Sequence, residues 1–335
     1  MRKVSVTIKD VAKHCGVSPM TVSFVLNDKP GEVSAAMRER VKAAAEQLGY
    51  RPNPMARALA TGRSGSITLW MKTLFPPYSA QVIHHVRQQA EGSGLLVNIW
   101  DMRWPLTPEN AIDPASFPHW PADGVLALEG REWADHYFAH HAPSRLPLVS
   151  LGTSCSHQGD YVQFDLNQGA QDAVRHLVKV GCRRIAYLEP QRGHQSGDVR
   201  FDAYTATVRE AGLEPDYVIA PDSGRRDGWT AFDARLQANQ IPDGLFCYND
   251  EMAIGACRAV REAGLRVPDD VALVGCDGIE ETEYQSPALS TIVLPMEEMC
   301  RLAWQFLRRR LAEPDLPPQQ ILLPTSLIVR DSSRV

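Results

Sequence analysis

Paired cysteines, membrane-length apolar runs and phosphate-binding loops are all missing from this 335-residue chain. Its seven cysteines, at 15, 155, 182, 247, 257, 276 and 300, stand singly with no C-x-x-C pair. An odd, dispersed set points to buried thiols in a reducing compartment and excludes a disulfide frame or a zinc ribbon. No apolar run approaches the roughly 20 residues that a helix needs to cross a bilayer. The opening, MRKVSVTIKDVAKHCGV, turns polar before a signal-peptide core forms, so the chain is expected in the cytosol. There is no G-x-S-x-G, no Walker loop and no G-x-G-x-x-G after a strand, and enzymatic function has little support. His136, His140 and His141 lie at helical spacing beside Asp135, but no third and fourth ligand follows at suitable spacing. They read as exposed helix histidines, and neither metal nor cofactor is expected. Glu280, Glu281 and Glu283 read as a solvated acidic loop.

What is present is the composition of a soluble globular protein, 44% hydrophobic and 22% charged, long enough for two or three domains. Its net charge of -5 is unevenly spread. Residues 1–65 carry eleven Lys/Arg against five Asp/Glu, which is +6; the remainder carries 24 against 35, which is -11. A small basic head on an acidic body implies that the head alone meets a polyanion.

The head reads as three helices. Thr7-Ile8-Lys9-Asp10 has the form of an N-cap with an acidic residue three positions on. Ile8, Val11 and Ala12 follow at helical spacing to about Cys15, and Gly16 is suited to the positive φ that ends a helix. Ser18 is a good N-cap and Pro19 fits the first helical position of a second helix through Thr21, Val22, Val25 and Leu26. Asn27-Asp28-Lys29-Pro30-Gly31 stops it. Ser34 caps a third helix with Val41, Ala44, Ala45 and Leu48 on one face, and Gly49 ends it. Two short helices around a Gly-containing turn, completed by a third, describe either a helix-turn-helix or a generic three-helix cap.

The runs TIKDVAKHCGVSPMTVSFVLN and VSAAMRERVKAAAEQLGYRPNPMARALATGRS resemble, without a gap, the DNA-binding head of the lac repressor (LacI/GalR) family. The resemblance implies DNA contacts by Thr7, Ser18, Pro19, Met20, Thr21, Ser23, Phe24, Asn27, Tyr50, Asn53 and Leu59. Ser18, Thr21, Ser23, Asn27, Tyr50 and Asn53 match phosphate-holding positions, which set register without reading sequence. Pro19, Met20 and Phe24 match positions that face base edges. Met20 and Phe24 cannot make bidentate hydrogen bonds to G or A but can pack on thymine methyls, so thymines are expected under Phe24 unless its ring tucks into the mini-core. Residues 52–60 resemble the family's hinge helix, too short to be stable alone. Leu59 matches the residue that wedges into a minor-groove base step; packing against a dimer mate is the plainer role.

From Ile67 onward apolar runs alternate with amphipathic stretches, which reads as α/β with parallel sheets. Strands are expected at 67–71, 95–100, 124–129, 146–152, 161–165, 183–189, 216–219, 244–248 and 271–278, with 321–330 as one last extended segment. Helices are expected at 80–92, 132–141, 168–180, 200–211, 228–238, 251–263 and 297–312. QGAQDAVRHLVKVGCRRIAYL, DGLFCYNDEMAIGACRAVREAGLRVPDDVALVGCDG, PALSTI and LIVRDSS resemble the family's effector domain, itself similar to periplasmic sugar-binding proteins. The expected fold class is therefore an all-α helix-turn-helix head (1–60, hinge about 52–60) plus a periplasmic-binding-protein-like core (61–335) of two doubly wound α/β subdomains. The resemblance divides that core into about 66–163 with 294–323, and about 164–293 with 324–335.

Within the resemblance Asp165, Ser196, Arg200, Asn249 and Asp277 match effector-contacting positions. Alternative roles stand beside them: Asp277 as the cap of the next turn, and Asn249-Asp250 as a helix cap. Arg200 has the firmest claim, because an Arg at a cleft is costly to bury unpaired. Leu166 and Leu294 replace a common Asn and Gln, so the pocket loses amides. The stretch from Asp101 to Pro121 is Pro- and Trp-rich, and Trp100, Trp104 or Trp120 either stacks on a sugar face or packs a rim. The expected activity is that of a transcription regulator, a repressor, whose affinity for a palindromic operator is set by a sugar or sugar acid. A homodimer is expected rather than a tetramer, since no leucine heptad precedes Val335. A corepressor sign is physically as open as an inducer sign. A stand-alone sugar-binding protein and a sugar-processing enzyme are the rival classes; the basic head and the missing nucleophile or metal constellation oppose them.

Overall fold

The computed structural model describes residues 6–26, 33–51, 58, 62–72, 74, 76–102, 122–141, 146–196 and 198–334, without the side chains of 140, 141, 192, 195 and 196. The chain forms one compact unit built on Met1–Gly65 and a second built on the chain from Ser66 onward.

In the first unit α1 (Ile8–Cys15), α2 (Pro19–Leu26) and α3 (Ala35–Leu48) enclose Val11, Ala12, Cys15, Val22, Val25, Val41, Ala44 and Ala45. Local chemistry sets the helix ends. The Asp10 carboxylate accepts from the Thr7 backbone N–H at 2.8 Å and hydroxyl at 2.7 Å, satisfying donors that the first turn leaves open. Gly16, at φ 60, closes α1 in the left-handed region that a side chain resists. Ser34 Oγ accepts from the Met37 N–H at 3.3 Å and starts α3.

Among the described residues the second unit holds two six-stranded sheets. The first contains β1 (Ser66–Met71), β2 (Leu96–Asp101), β3 (Gly124–Leu128), β4 (Leu148–Gly152), β5 (Asp160–Asp165) and β11 (Gln320–Pro324), in the order β11-β5-β4-β3-β1-β2 and parallel throughout. The second contains β6 (Ile185–Pro190), β7 (Asp216–Ala220), β8 (Gly244–Cys247), β9 (Ala272–Asp277), β10 (Ser290–Val293) and β12 (Ser326–Ile328). Its order is β12-β10-β9-β8-β6-β7, with β12 alone antiparallel to its neighbour. The intervening helices are α4 (Pro77–Ala90), α5 (Arg131–His141), α6 (Leu166–Lys179), α7 (Gln191–Ser196), α8 (Val199–Glu210), α9 (Arg225–Gln237), α10 (Asp250–Glu262) and α11 (Met296–Ala312). β1, β3, β4 and β6 are buried along their whole length, as parallel strands covered on both faces must be.

One continuous apolar cluster runs through both sheets, from Ile67, Leu69 and Phe164 to Tyr187, Phe246 and Val274, with α6 and α11 contributing Val174, Leu177, Met299 and Leu307. Opposite faces are closed separately, by Trp133 and Tyr137 of α5 on the first sheet and by Phe232, Met252 and Val260 of α9 and α10 on the second. α9 and α10 touch backbone to backbone: a Cβ at Gly255 would run into Arg225 and Trp229 main chain, and one at Gly228 into Met252.

The chain passes between the sheets after β5, after β10 and at Thr325. The expected single segment 321–330 is thus two short strands in different sheets. The Thr325 hydroxyl donates to the Asp165 carbonyl at 2.8 Å, binding two of these crossings together. α7 and β10 also stand where the pattern had suggested no separate element.

Candidate nucleic-acid interface and effector cleft

On α2 the side chains divide by face. Val22 and Val25 are buried in the head's core, while Met20 is 68% and Phe24 37% exposed. Met20 and Phe24 are four residues apart and therefore share one helix face. Phe24 does not tuck into the mini-core as Val22 and Val25 do. Ser18 Oγ accepts from the Thr21 N–H at 3.0 Å and shares a 2.9 Å hydrogen bond with the Thr21 hydroxyl, which sets two polar groups beside that face. Pro19 and Thr7 are exposed, and Ser23 is half-buried. Tyr50 packs against the head's core from the far end of α3. Asn27, Asn53 and Leu59, and all of the expected hinge except Ala58, lie outside the described residues.

In the second unit the carboxyl ends of β3 and β9, one from each sheet, bring Glu129 and Asp277 near enough to interact, and a crevice at such strand ends is where doubly wound folds take ligands. From the second sheet come Asp198, Arg200, Tyr248 and Asp277. Arg200 is 2% exposed. Its Nε and Nη2 each donate to Asp198 at 2.8 Å, Nη1 donates to the Tyr248 carbonyl at 2.9 Å, and its guanidinium carbon lies 3.6 Å from the centre of the Tyr248 ring. Burial alone would discharge the pair. Against that penalty, Asp198 holds Arg200 well above its usual range, and Arg200 holds Asp198 below the usual carboxylate range.

Asp277 closes β9 at φ 127, a left-handed backbone that non-glycine residues occupy only under constraint. Its carboxylate has no hydrogen-bond donor among the described residues. Burial, with Asp250 and Glu129 nearby, pushes it well above the usual range, and Arg200 only partly opposes the shift. Glu129, at the end of β3 in the first sheet, faces the same cleft and also has a positive φ of 52. Four donors saturate it: the Tyr78 hydroxyl at 2.9 Å, the Thr153 N–H and hydroxyl at 2.8 and 2.7 Å, and the Ser154 N–H at 3.1 Å. Burial beside Glu129 raises the Tyr78 phenol well above its ordinary value.

The other expected contacts have structural duties in this arrangement. Asn249 caps α10, its Oδ1 accepting from the Met252 N–H at 2.8 Å while Nδ2 donates to the Ser223 carbonyl at 3.0 Å. Asp165 caps α6 through the Gln168 N–H at 3.3 Å and sits at the first crossing between sheets. Ser196 ends α7, and its side chain is outside the described residues. Leu166 and Leu294 are buried in the shared core. Trp100 packs with Trp70 and Trp133 on the outer face of the first sheet; Trp104 and Trp120 are outside the described residues. Asp135 is engaged by Ser156 Oγ at 2.5 Å and by Arg131 at 3.6 Å, and no cluster able to hold a metal occurs among the described residues. The acidic loop is not simply solvated: Glu281 pairs with Arg225 at 3.1 Å and Glu283 with Arg330 at 2.8 Å.

Two family descriptions match the chain, "Bacterial regulatory proteins, lacI family" over residues 7–53 and "Periplasmic binding protein-like domain" over residues 174–333. The probable HTH-type transcriptional repressor ExuR of Bacillus subtilis (strain 168) is 31% identical over 337 residues, spanning 98% of each chain. The chain belongs to the lacI family of bacterial regulatory proteins. The HTH-type transcriptional repressor PurR of Haemophilus influenzae (strain PittEE) is 30% identical over 332 residues, 97% of this chain and 98% of the relative. The fold of this lacI-family chain aligns with the lac repressor dimer bound to operator and the anti-inducer ONPF at a TM-score of 0.82, with 26% identity over 99% and 100% of the two chains. It aligns with the CelR–cellobiose complex at 0.67, with 28% identity over 98% and 99%. The protein is thus a transcriptional repressor of this family with a ligand-binding body, not an enzyme. Among the described residues no helix is long and apolar enough to cross a membrane.

Proposed function

We propose that the chain is a cytoplasmic, homodimeric repressor of a palindromic operator, released when a sugar or a related polyhydroxylated metabolite enters the cleft. The observation that carries the ligand reading is the Asp277 carboxylate, an acceptor without a donor beside a buried arginine. Hydroxyl groups supply the missing donors while accepting from nearby N–H and O–H groups. The relatives support this class unevenly: one solved neighbour holds cellobiose, while another relative is a PurR repressor. Residues 1–60 bind DNA in this reading. Ser18, Thr21 and Ser23, with Asn27, Tyr50 and Asn53, hold phosphates; Pro19, Met20 and Phe24 face bases, and Leu59 enters a base step. Residues 61–335 bind effector and pair the subunits, with Arg200 and Asp277 as polar anchors and Asp165, Ser196 and Asn249 at the rim. Because the ligand shifts whichever state it prefers, a corepressor would use the same cleft with the opposite sign.

Genomic DNA-binding selection with purified protein, repeated with sugars and sugar acids, tests the whole reading. One palindromic site lost with a single compound supports it, and tighter binding with a compound reverses the sign. No specific DNA under any condition overturns it.

A further inference from the structure

Asp250 is the first residue of α10, yet its carboxylate does not serve that helix. It is completely buried and bridges two other segments. Oδ2 accepts from the Gly278 N–H at 2.7 Å and the Ile279 N–H at 3.0 Å, and Oδ1 accepts from the Thr291 hydroxyl of β10 at 2.6 Å. Gly275, on the neighbouring strand, leaves room for it: a Cβ there would occupy the space of Oδ1. Both captured amides directly follow Asp277, the residue held at φ 127. A backbone in that region relaxes unless its surroundings over-determine it, and two hydrogen bonds to a buried carboxylate supply the determination.

We propose that Asp250 is a positioning residue of the effector cleft, clamping the Gly278–Ile279 amides so that Asp277 keeps the backbone that presents its carboxylate to ligand. The inference rests on the reading of Asp277 as an effector contact. The clamp depends on hydrogen-bond geometry more than on charge. In Asp250→Asn the remaining oxygen faces the two amides while the Thr291 hydroxyl turns to accept from the new N–H₂.

The test uses the full chain and two readouts. Amide exchange at Gly278 and Ile279, followed by NMR, reads the clamp without any ligand. Calorimetric titration with D-ribose, D-glucose, D-glucosamine and cellobiose reads the cleft. Asp250→Ala is expected to speed exchange at both amides about tenfold or more, and to weaken sugar binding by a similar factor. Asp250→Asn stays within about threefold on both, on the same reasoning. In an Asp277→Ala background, Asp250→Ala should cost no further affinity, since its effect passes through Asp277. If the alanine variant does not fold, Asp250→Ser carries the same comparison. Unchanged exchange at Gly278 and Ile279, or an undiminished affinity loss in the Asp277→Ala background, overturns the positioning role. Sugar affinity left unchanged by Asp277→Ala, or no binding of any sugar by the native protein, overturns the effector reading instead, and exchange still decides the clamp.

Discussion

Removing the carboxylate of Asp198 probes how the cleft tolerates a buried cation. In the native protein the Arg200 side chain is 3% and the Asp198 side chain 16% exposed, so water screens neither. Asp198→Ala deletes both 2.8 Å arms of the bidentate pair and leaves the guanidinium with the Tyr248 carbonyl and ring. Breaking a buried pair on one side costs about 3–5 kcal/mol, because the stranded charge has lost its compensation. For a unit of this size that is a fall of about 10 °C in melting temperature. Replacing both partners, Asp198→Ala with Arg200→Met, removes the stranded charge as well and should cost only about 1 kcal/mol beyond Arg200→Met alone. Urea unfolding of the two variants, compared with Arg200→Met alone, measures the coupling. Acid sharpens the comparison. The folded pKa of Asp198 is depressed, so the pair's contribution is fully present above the unfolded carboxylate value of about 4 and is lost as pH falls through the folded value. Native protein and Asp198→Ala should therefore converge in stability toward strong acid. An Asp198→Ala cost below about 1 kcal/mol, or a double variant as damaged as the sum of its parts, would refute the reasoning.

Three further outcomes follow from the geometry. Phe24→Ala should leave folding stability within about 0.5 kcal/mol and lower operator affinity about tenfold, with relaxed base preference at one position of each half-site; an unchanged preference in a binding selection rejects the thymine-methyl contact. Asp277→Asn should stabilise the protein at pH 8 and leave it unchanged near pH 3. Because the folded pKa of Asp277 is raised, its ionised form penalises folding only as pH climbs above the unfolded value; thermal melts at both values check the sign. Gly255→Ala should cost about 3 kcal/mol by urea unfolding, since the added methyl meets the backbone of α9, which cannot step aside as a side chain does.

How far the sequence can be read depends on the range of the forces that act. The head is legible because its boundaries are made within four residues: Asp10 reaches Thr7, Ser18 reaches Thr21 and Ser34 reaches Met37. The strands of the body are legible as apolar runs bounded by amphipathic helices. Which sheet a strand joins is a different matter. Residues on either side of Thr325 are equally apolar and extended, and their assignment to two sheets is decided by Asp165 and Thr291, far away in the chain. The cleft divides the same way. Arg200 and Asp277 were reachable through the family resemblance. Glu129 became visible only once the fold had brought Tyr78, Thr153 and Ser154 around it, across 51, 24 and 25 positions.

The two sheets handle their cleft carboxylates in opposite ways, and that difference gives the cleft its direction. Glu129 has a positive φ and four donors, so its strain is compensated inside the first sheet and nothing is left to offer a ligand. Asp277 has a positive φ and no donor, so its strain is held by the Gly278 and Ile279 amides on Asp250 while its own oxygens stay unmatched. Asp277 is half-buried, and in the proposed reading a ligand hydroxyl donates to the oxygens that no protein donor reaches. In the proposed reading that hydrogen bond gains from the burial of Tyr78 beside it, because hydrogen bonds strengthen as the local dielectric falls. The second sheet therefore supplies the unsatisfied group and the first a finished wall.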